Sequence, residues 1–336
     1  MAIIFGLVQV PPIVLSGRKK MKYDIQLFEL LNEEYRSKPI QTSFPQYDPD
    51  SQLKTGRSRL ARLNTLVSLD GKRVLEIGCG RGYVCRLLAS EYNCSVVGID
   101  IREYAEWAGL KNGFADLDYR MVDLARENPF AAESFDVVLS YAVWEHIVHP
   151  FTILRECCKI LKPSGAIYMY ANQYRSAVAS HLYRHIHFPY PHLLFDRDII
   201  AEWLLRKGIS RSGIGWPYYV NKLTYAHYKE YFRILNLCIE HERLSKTKLD
   251  TDFYNRFEDK LELYPRFDLE LDFFEVVLRK KNLDIGENTL PELQRFSTEL
   301  RLQPDEMQRF QTELQTVTKR LVEERNANPH SCRCFP

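Results

Sequence analysis

The sequence lacks an excess of charge: Lys and Arg number 46 against 44 Asp and Glu, a formal net charge of +2. That balance argues against nucleic acid as the main partner, because phosphate recognition needs a basic patch or stripe. Long apolar runs are missing too, and a membrane-spanning helix needs roughly 20 residues of one. The apolar stretch Met1 to Leu15 is interrupted by Gln9, Pro11 and Pro12, and its basic cluster Arg18-Lys19-Lys20 comes after it. A secretory signal peptide carries its charge first. A disordered leader is expected, with Met1 and Met21 both open as the natural start. The cysteines lack the spacing of a disulfide framework. Cys79, Cys85, Cys94, Cys157, Cys158 and Cys238 fall in expected core segments, as free thiols of a reducing, cytoplasmic setting. Cys332 and Cys334 form a C-x-C with no second pair, which is too little for a structural zinc site.

What is present is a globular composition, 45% hydrophobic and 27% charged over 336 residues, enough for one large domain with an appendage. Its centre is Arg73 to Tyr83, RVLEIGCGRGY, an apolar run delivering Gly78, Gly80 and Gly82 to a helical segment. Such a strand, turn and helix bring backbone N–H groups close to a ligand. A dinucleotide fingerprint would want glycine where Tyr83 stands, and no G-K-[ST] follows for a P-loop. Glu76, two residues before the first glycine, suits a ligand with an ammonium group and repels a pyrophosphate.

Strands and helices alternate from there. Arg73–Ile77, Cys94–Ile99, Tyr119–Val122, Phe135–Ser140 and Ala166–Tyr170 read as strands of a parallel sheet covered on both faces. Ligands of such sheets bind at the carboxyl ends of the strands, where Glu76, Asp100 and Asp123 lie. Helices are expected over Asp24–Tyr35, Thr55–Leu66, Pro150–Leu161, Asp196–Lys207 and Thr224–Leu235. Leu237–Arg243 and Phe273–Arg279 read as late strands, the second as a closing edge strand. Residues 293–300 (LQRFSTEL) and 307–314 (MQRFQTEL) repeat at two heptads and put Leu293, Phe296, Leu300, Met307, Phe310 and Leu314 on a/d positions. The expected division is a leader and N-terminal helix over 1–54, a domain over 55–281, a coiled coil over 282–325 and a disordered tail over 326–336.

VLEIGCGRGY, VVGIDI, MVDLA and FDVVLSYAVWEHI, with L-K-P-S-G before the fifth strand, resemble the class I S-adenosylmethionine-dependent methyltransferases of the small-molecule or glycan type. The resemblance implies an α/β, Rossmann-like seven-stranded sheet, a substrate lid inserted after strand five over 171–232, and S-adenosyl-L-methionine as cofactor. It implies that Glu76 and the turn Gly78, Cys79, Gly80 and Gly82 hold the methionine end, that Asp100 with Ile101 binds the ribose, and that Asp123 and Leu124 flank the adenine. Tyr141 would line the junction with the acceptor, and Arg57 or Arg59 could meet the cofactor carboxylate. Each strand-end acid has a plainer reading as a cap of the next helix.

Transfer needs a nucleophile in line with the methyl group and a base for its proton. Candidate bases are His146, His149 and the insertion cluster His181, His185, His187 and His192 in HLYRHIHFPYPHLLF; His146, His187 and His192 are put forward. His181 and His185 have the i,i+4 spacing of a metal pair, but acids at suitable spacing are missing and no metal is assigned. The aromatics Tyr170, Tyr174, Tyr183, Tyr190, Trp216, Tyr218 and Tyr219 suit a lid over a ring or sugar, and Trp203 suits a core. The expected reaction is methyl transfer to a hydroxyl of a small or glycan-like acceptor. A quinone, lipid or amine acceptor is the alternative, as is an inactive scaffold acting through its coiled coil. Homo-oligomers or a protein partner would form through that coil.

Overall fold

The computed structural model describes residues 21–209 and 220–281. The leader, Trp216 to Tyr219, the coiled coil and the tail lie outside the described residues.

Helix α1 (Ile25–Glu34) starts where Asp24 accepts from the backbone N–H groups of Gln26 and Leu27. Helix α2 (Pro49–Asn64) begins earlier than its apolar stripe suggests, so residue 55 lies inside it. The reason is local: Asp48 caps Ser51 N–H and Pro49 occupies the first turn, a start signal that does not depend on hydrophobic spacing. Then come β1 (Arg73–Ile77), α3 (Tyr83–Glu91), β2 (Ser95–Asp100), α4 (Glu106–Lys111), β3 (Leu117–Met121) and β4 (Phe135–Tyr141). A 3-10 turn (Trp144–His146), α5 (Pro150–Ile160) and β5 (Leu161–Asn172) follow. Short α6 (Pro191–Leu194) and α7 (Arg197–Arg206) belong to the insertion, and α8 (Tyr225–Ile234) leads into β6 (Leu237–Lys246). Three short helices, α9 (Thr251–Arg256), α10 (Glu258–Leu261) and α11 (Arg266–Glu270), precede β7 (Leu271–Lys280).

The seven strands have the order β3-β2-β1-β4-β5-β7-β6. The first five are parallel, while β7 is antiparallel to both β5 and β6. The order reverses between β1 and β4, and that switch point opens the crevice where an open α/β sheet binds ligands. One expectation is corrected here. Strand β7 is interior, and β6 is the edge. The continuous run Phe274 to Leu278 is buried, as a strand covered on both faces must be, whereas β6 is mostly exposed or half-buried.

Two cores cover the sheet. One packs Leu75, Val138, Ile167 and Phe274 with α5 and α8; the other packs Val74, Val96, Val137 and Val277 with α2 and α3. A third, separate core joins α1 to the insertion. Fully buried Phe28 meets the rings of Phe188, Phe195 and Trp203 at centroid distances of 5.1, 5.0 and 5.3 Å. The lead-in helix is therefore the floor on which the insertion folds. Trp203 is core, as its helical spacing suggests. Truncating Phe28 to Ala should cost about 3–5 kcal/mol by the usual cavity penalty, read as a lower urea midpoint. A loss below about 1 kcal/mol, the range of a surface change, would mean that α1 and the insertion do not share a packed core.

Candidate functional site

Strand β1 ends at a turn in which Gly78, Gly80 and Gly82 all have positive φ, +67°, +52° and +89°. A Cβ at Gly78 would lie 2.5 Å from Val143, and one at Gly82 would lie 2.5 Å from the Tyr119 ring. The turn is thus pressed between β4's exit and β3, and only glycine fits there. At Gly80 a Cβ would meet nothing within 4 Å, so that glycine borders open space. Asp100 holds this middle residue, its Oδ2 accepting from Gly80 N–H at 3.1 Å. Trp107 Nε1 donates to the Gly80 carbonyl at 2.7 Å, and the Tyr119 hydroxyl donates to the Gly82 carbonyl at 2.8 Å. The two rings stack at 5.4 Å. Trp107 and Tyr119 are structural partners that sequence reasoning missed; an aromatic in the helix after β2 and another on β3 were the available signal.

Glu76 is 4% exposed and accepts from the Cys85 thiol at 2.9 Å. Burial pushes its carboxyl up to about 7, against the Cys85 hydrogen bond and the Arg59 charge, which favour the ionised form. Arg59 lies over the Tyr141 ring at 5.0 Å, so Arg59 and Tyr141 meet beside Glu76. Arg57 instead pairs with exposed Glu91 at 2.8 Å, the solvated helix-face reading.

Next to Asp100, Ile101 is 75% exposed, and Met121 at the end of β3 is 65% exposed. They leave apolar surface at two neighbouring strand ends. Asp123 Oδ1 accepts from Ala125 N–H at 3.0 Å and its Oδ2 pairs with Arg126 at 3.3 Å. That is a local turn held by the carboxylate, and no helix follows for Asp123 to cap. The Leu124 side chain is buried in the sheet core.

Beyond β4 the chain bends through Ala142, which has φ +55°, into the 3-10 turn. Asn221 clamps that turn: its side chain donates to the carbonyls of Trp144 at 2.7 Å and Ile147 at 3.2 Å, and its N–H to that of Glu145 at 2.7 Å. The Tyr228 hydroxyl donates to the Trp144 carbonyl at 3.0 Å. The clamp presents exposed His146 beside buried Glu145. The His146 ring meets that of His181, from the insertion, at 4.8 Å in an edge-on contact. Ligand atoms of Glu145, His146 and His181 all lie within 4.8 Å of one another. Burial pushes the Glu145 carboxyl up to about 8.

The other histidines do not gather there. No helix runs from His181 to His185, so their i,i+4 spacing does not put them on one face. His187 packs on α1, where its N–H donates to Asn32 Oδ1 at 2.7 Å. His192 is buried, its Nε2 donating to the Tyr174 carbonyl at 2.7 Å, and burial holds its imidazole down to about 4. His181 was named in the sequence as one of a cluster and for its i,i+4 spacing from His185; its pairing with His146 spans 35 residues and has no local signal.

This sheet, with its glycine turn at the switch point, is a Rossmann-like methyltransferase fold. Residues 75–169 match the family described as methyltransferase domain. Over that segment the chain is similar to methyltransferase domains. It is similar to the ubiquinone biosynthesis O-methyltransferase of Neisseria meningitidis serogroup A, 38% identical over 117 residues, which are 33% of this chain and 48% of that protein. The same-named enzyme of Marinobacter nauticus is 35% identical over 134 residues, 37% of this chain and 55% of that one. The chain thus spans about half the length of these curated relatives. The S-adenosylmethionine-dependent methyltransferase of Mesorhizobium loti, a solved structure, is 20% identical with a TM-score of 0.45, covering 68% of this chain and 100% of that one. Among the described residues no helix is long and apolar enough to cross a membrane.

Glu76 makes a pH prediction. Between its ordinary value of 4.5 and about 7 the native state keeps a proton that the unfolded chain has released, so stability falls as pH rises through that window. Glu76→Gln removes the effect. The variant should exceed wild type by about 3 kcal/mol at pH 8 and match it near pH 4, from the energy of a pKa difference. Urea unfolding at both pH values measures this, and equal stability at pH 8 would show that the buried carboxylate is already compensated.

Proposed function

We propose that the protein transfers the methyl group of S-adenosyl-L-methionine to an oxygen of a small acceptor. The observation that carries this reading is the convergence, on one end of the sheet, of Glu76, the Gly78–Gly82 turn and Asp100 with the Glu145, His146 and His181 group. When bound, the cofactor supplies an electrophilic methyl group on a sulfonium. Glu76 offers a buried carboxylate whose missing partner is a cation, which suits the cofactor's ammonium. The backbone at Gly80 approaches the methionine end closely because nothing but hydrogen projects there. Asp100 accepts from the ribose hydroxyls while keeping its bond to Gly80. Ile101 and Met121 cover the adenine faces with apolar surface, and the Leu124 backbone flanks its edge. Arg59 serves the cofactor carboxylate, since Arg57 is engaged by Glu91.

The acceptor's proton is taken up at the end of β4, where His146 is the exposed member of its group. His187 and His192 are left out of the chemistry, being held against α1 and Tyr174. The names of the relatives support a ring hydroxyl of the ubiquinone-precursor kind over a glycan hydroxyl. The inactive-scaffold alternative is disfavoured by the intact turn and the retained acids.

Isothermal titration with S-adenosylmethionine tests the cofactor claim. Asp100→Asn keeps an acceptor oxygen for Gly80 but loses the charge, and should bind about 10-fold more weakly, the scale of one charge-assisted hydrogen bond. No heat with wild type would sink the proposal, and equal affinity would remove Asp100 from the ribose site.

A further inference from the structure

We propose that the cavity between the start of the insertion and α10, walled by Tyr174, Lys222 and Lys260, binds a small ring-bearing carboxylate. None of the described residues lining it belongs to the glycine turn or to the turn after β4. The inference therefore goes beyond the methyl-transfer reading and does not rest on it.

The first observation is size and wall. The cavity holds about 220 Å³. An apolar cavity of about 150 Å³ admits benzene, so a six-membered ring with one substituent fits here. Tyr174 and Tyr264 form two of its walls, and both are held. The Tyr174 carbonyl accepts from His192 Nε2 at 2.7 Å, and the Tyr174 N–H donates to the Leu223 carbonyl at 3.1 Å. The buried Arg175 guanidinium stands 5.1 Å from the centre of the Tyr264 ring and pairs with Asp268 at 2.7 Å. Leu263, 46% exposed, adds apolar surface where the cavity opens to solvent.

The second observation is charge. Lys222 and Lys260 line the cavity together with Asp196, an excess of one positive charge. The two lysines reach it from different elements. Lys260 lies on α10, its ammonium 5.0 Å over the Tyr23 ring. Lys222 has left-handed backbone, φ +60°, a conformation that costs a lysine roughly 1–2 kcal/mol. Asn221 before it is tied to the turn after β4, and Leu223 after it is tied to Tyr174. The kink between these two anchors puts the Lys222 ammonium 6.0 Å over the Tyr174 ring. Its charge adds to burial in holding the His192 imidazole down, so the ammonium acts on this same wall. Asp196 starts α7, yet its carboxylate makes no cap hydrogen bond there and lines the cavity instead.

The walls assign the ends of the ligand. Its carboxylate meets the two half-buried ammonium groups, whose attraction is stronger there than in open water. Its ring lies against Tyr174, Tyr264 and Leu263. A dianionic phosphate is the poorer match, because Asp196 repels the second charge.

Equilibrium dialysis of the full chain near neutral pH, with labelled benzoate as the probe, tests this. One saturable site per chain is expected. Benzyl alcohol, neutral and of similar shape, should bind roughly 5-fold more weakly, the scale of a partly exposed ion pair, and benzylamine more weakly still. Lys222→Met and Lys260→Met should each cost benzoate about 5-fold and leave benzyl alcohol unchanged. Benzyl alcohol binding wild type as tightly as benzoate overturns the proposal, whatever the variants do. Undiminished benzoate binding by both variants overturns it too, as does tighter binding of phenyl phosphate. Saturating S-adenosylhomocysteine should leave the benzoate in place; displacement would put the probe in the donor crevice and overturn the site. The two readings fail separately: benzoate bound without S-adenosylmethionine heat sinks the function and leaves this site, and the converse sinks the site alone.

Discussion

A carboxylate buried at the end of the central strand is the constraint around which this molecule is arranged. Glu76 sits on β1 between β2 and β4, away from water, with a thiol as its hydrogen-bonding neighbour. Leaving a charge there is unfavourable, and leaving it protonated near neutral pH is what burial alone would do. Arg59 supplies the nearby positive charge. Around the acid the strand stops, the chain turns through left-handed glycines, and β3 and β4 close on the turn from two sides without filling the space beside Gly80.

The same logic recurs one strand away. Glu145 follows β4 as Glu76 ends β1, and again a buried acid faces polar groups rather than apolar packing. The two acids lie at the switch point of the sheet, where divergent connections leave a crevice. Supports for both come from elsewhere in the chain. Trp107 and Tyr119 hold the glycine turn beside the first, and Asn221 and Tyr228 hold the backbone turn that carries the second. Because these supports are packed or hydrogen-bonded, both turns are held in place by the fold itself.

The insertion is tied to the rest through α1. Phe28 and its ring neighbours give the segment after β5 a core of its own, so this part of the insertion is a packed wall. It delivers His181 to His146 and holds His187 and His192 away from them. Three histidines close in sequence thus have different surroundings, set by packing against His146, α1 and Tyr174.

Local chemistry was legible in the sequence. The glycine turn, the bounds of β1, the Asp24 and Thr224 helix starts and the acids at strand ends all depend on backbone conformation and nearest neighbours, which a linear reading captures. The five parallel strands were legible too, because buried parallel strands leave continuous apolar runs. The interior place of β7 was misjudged because position in a chain was taken for position in a sheet. The partnership of Glu145, His146 and His181 and the split between Arg57 and Arg59 were decided by tertiary structure alone. Each depends on which side chains meet across tens or hundreds of residues, and on how deeply a charge is buried, and neither quantity exists until the chain has folded.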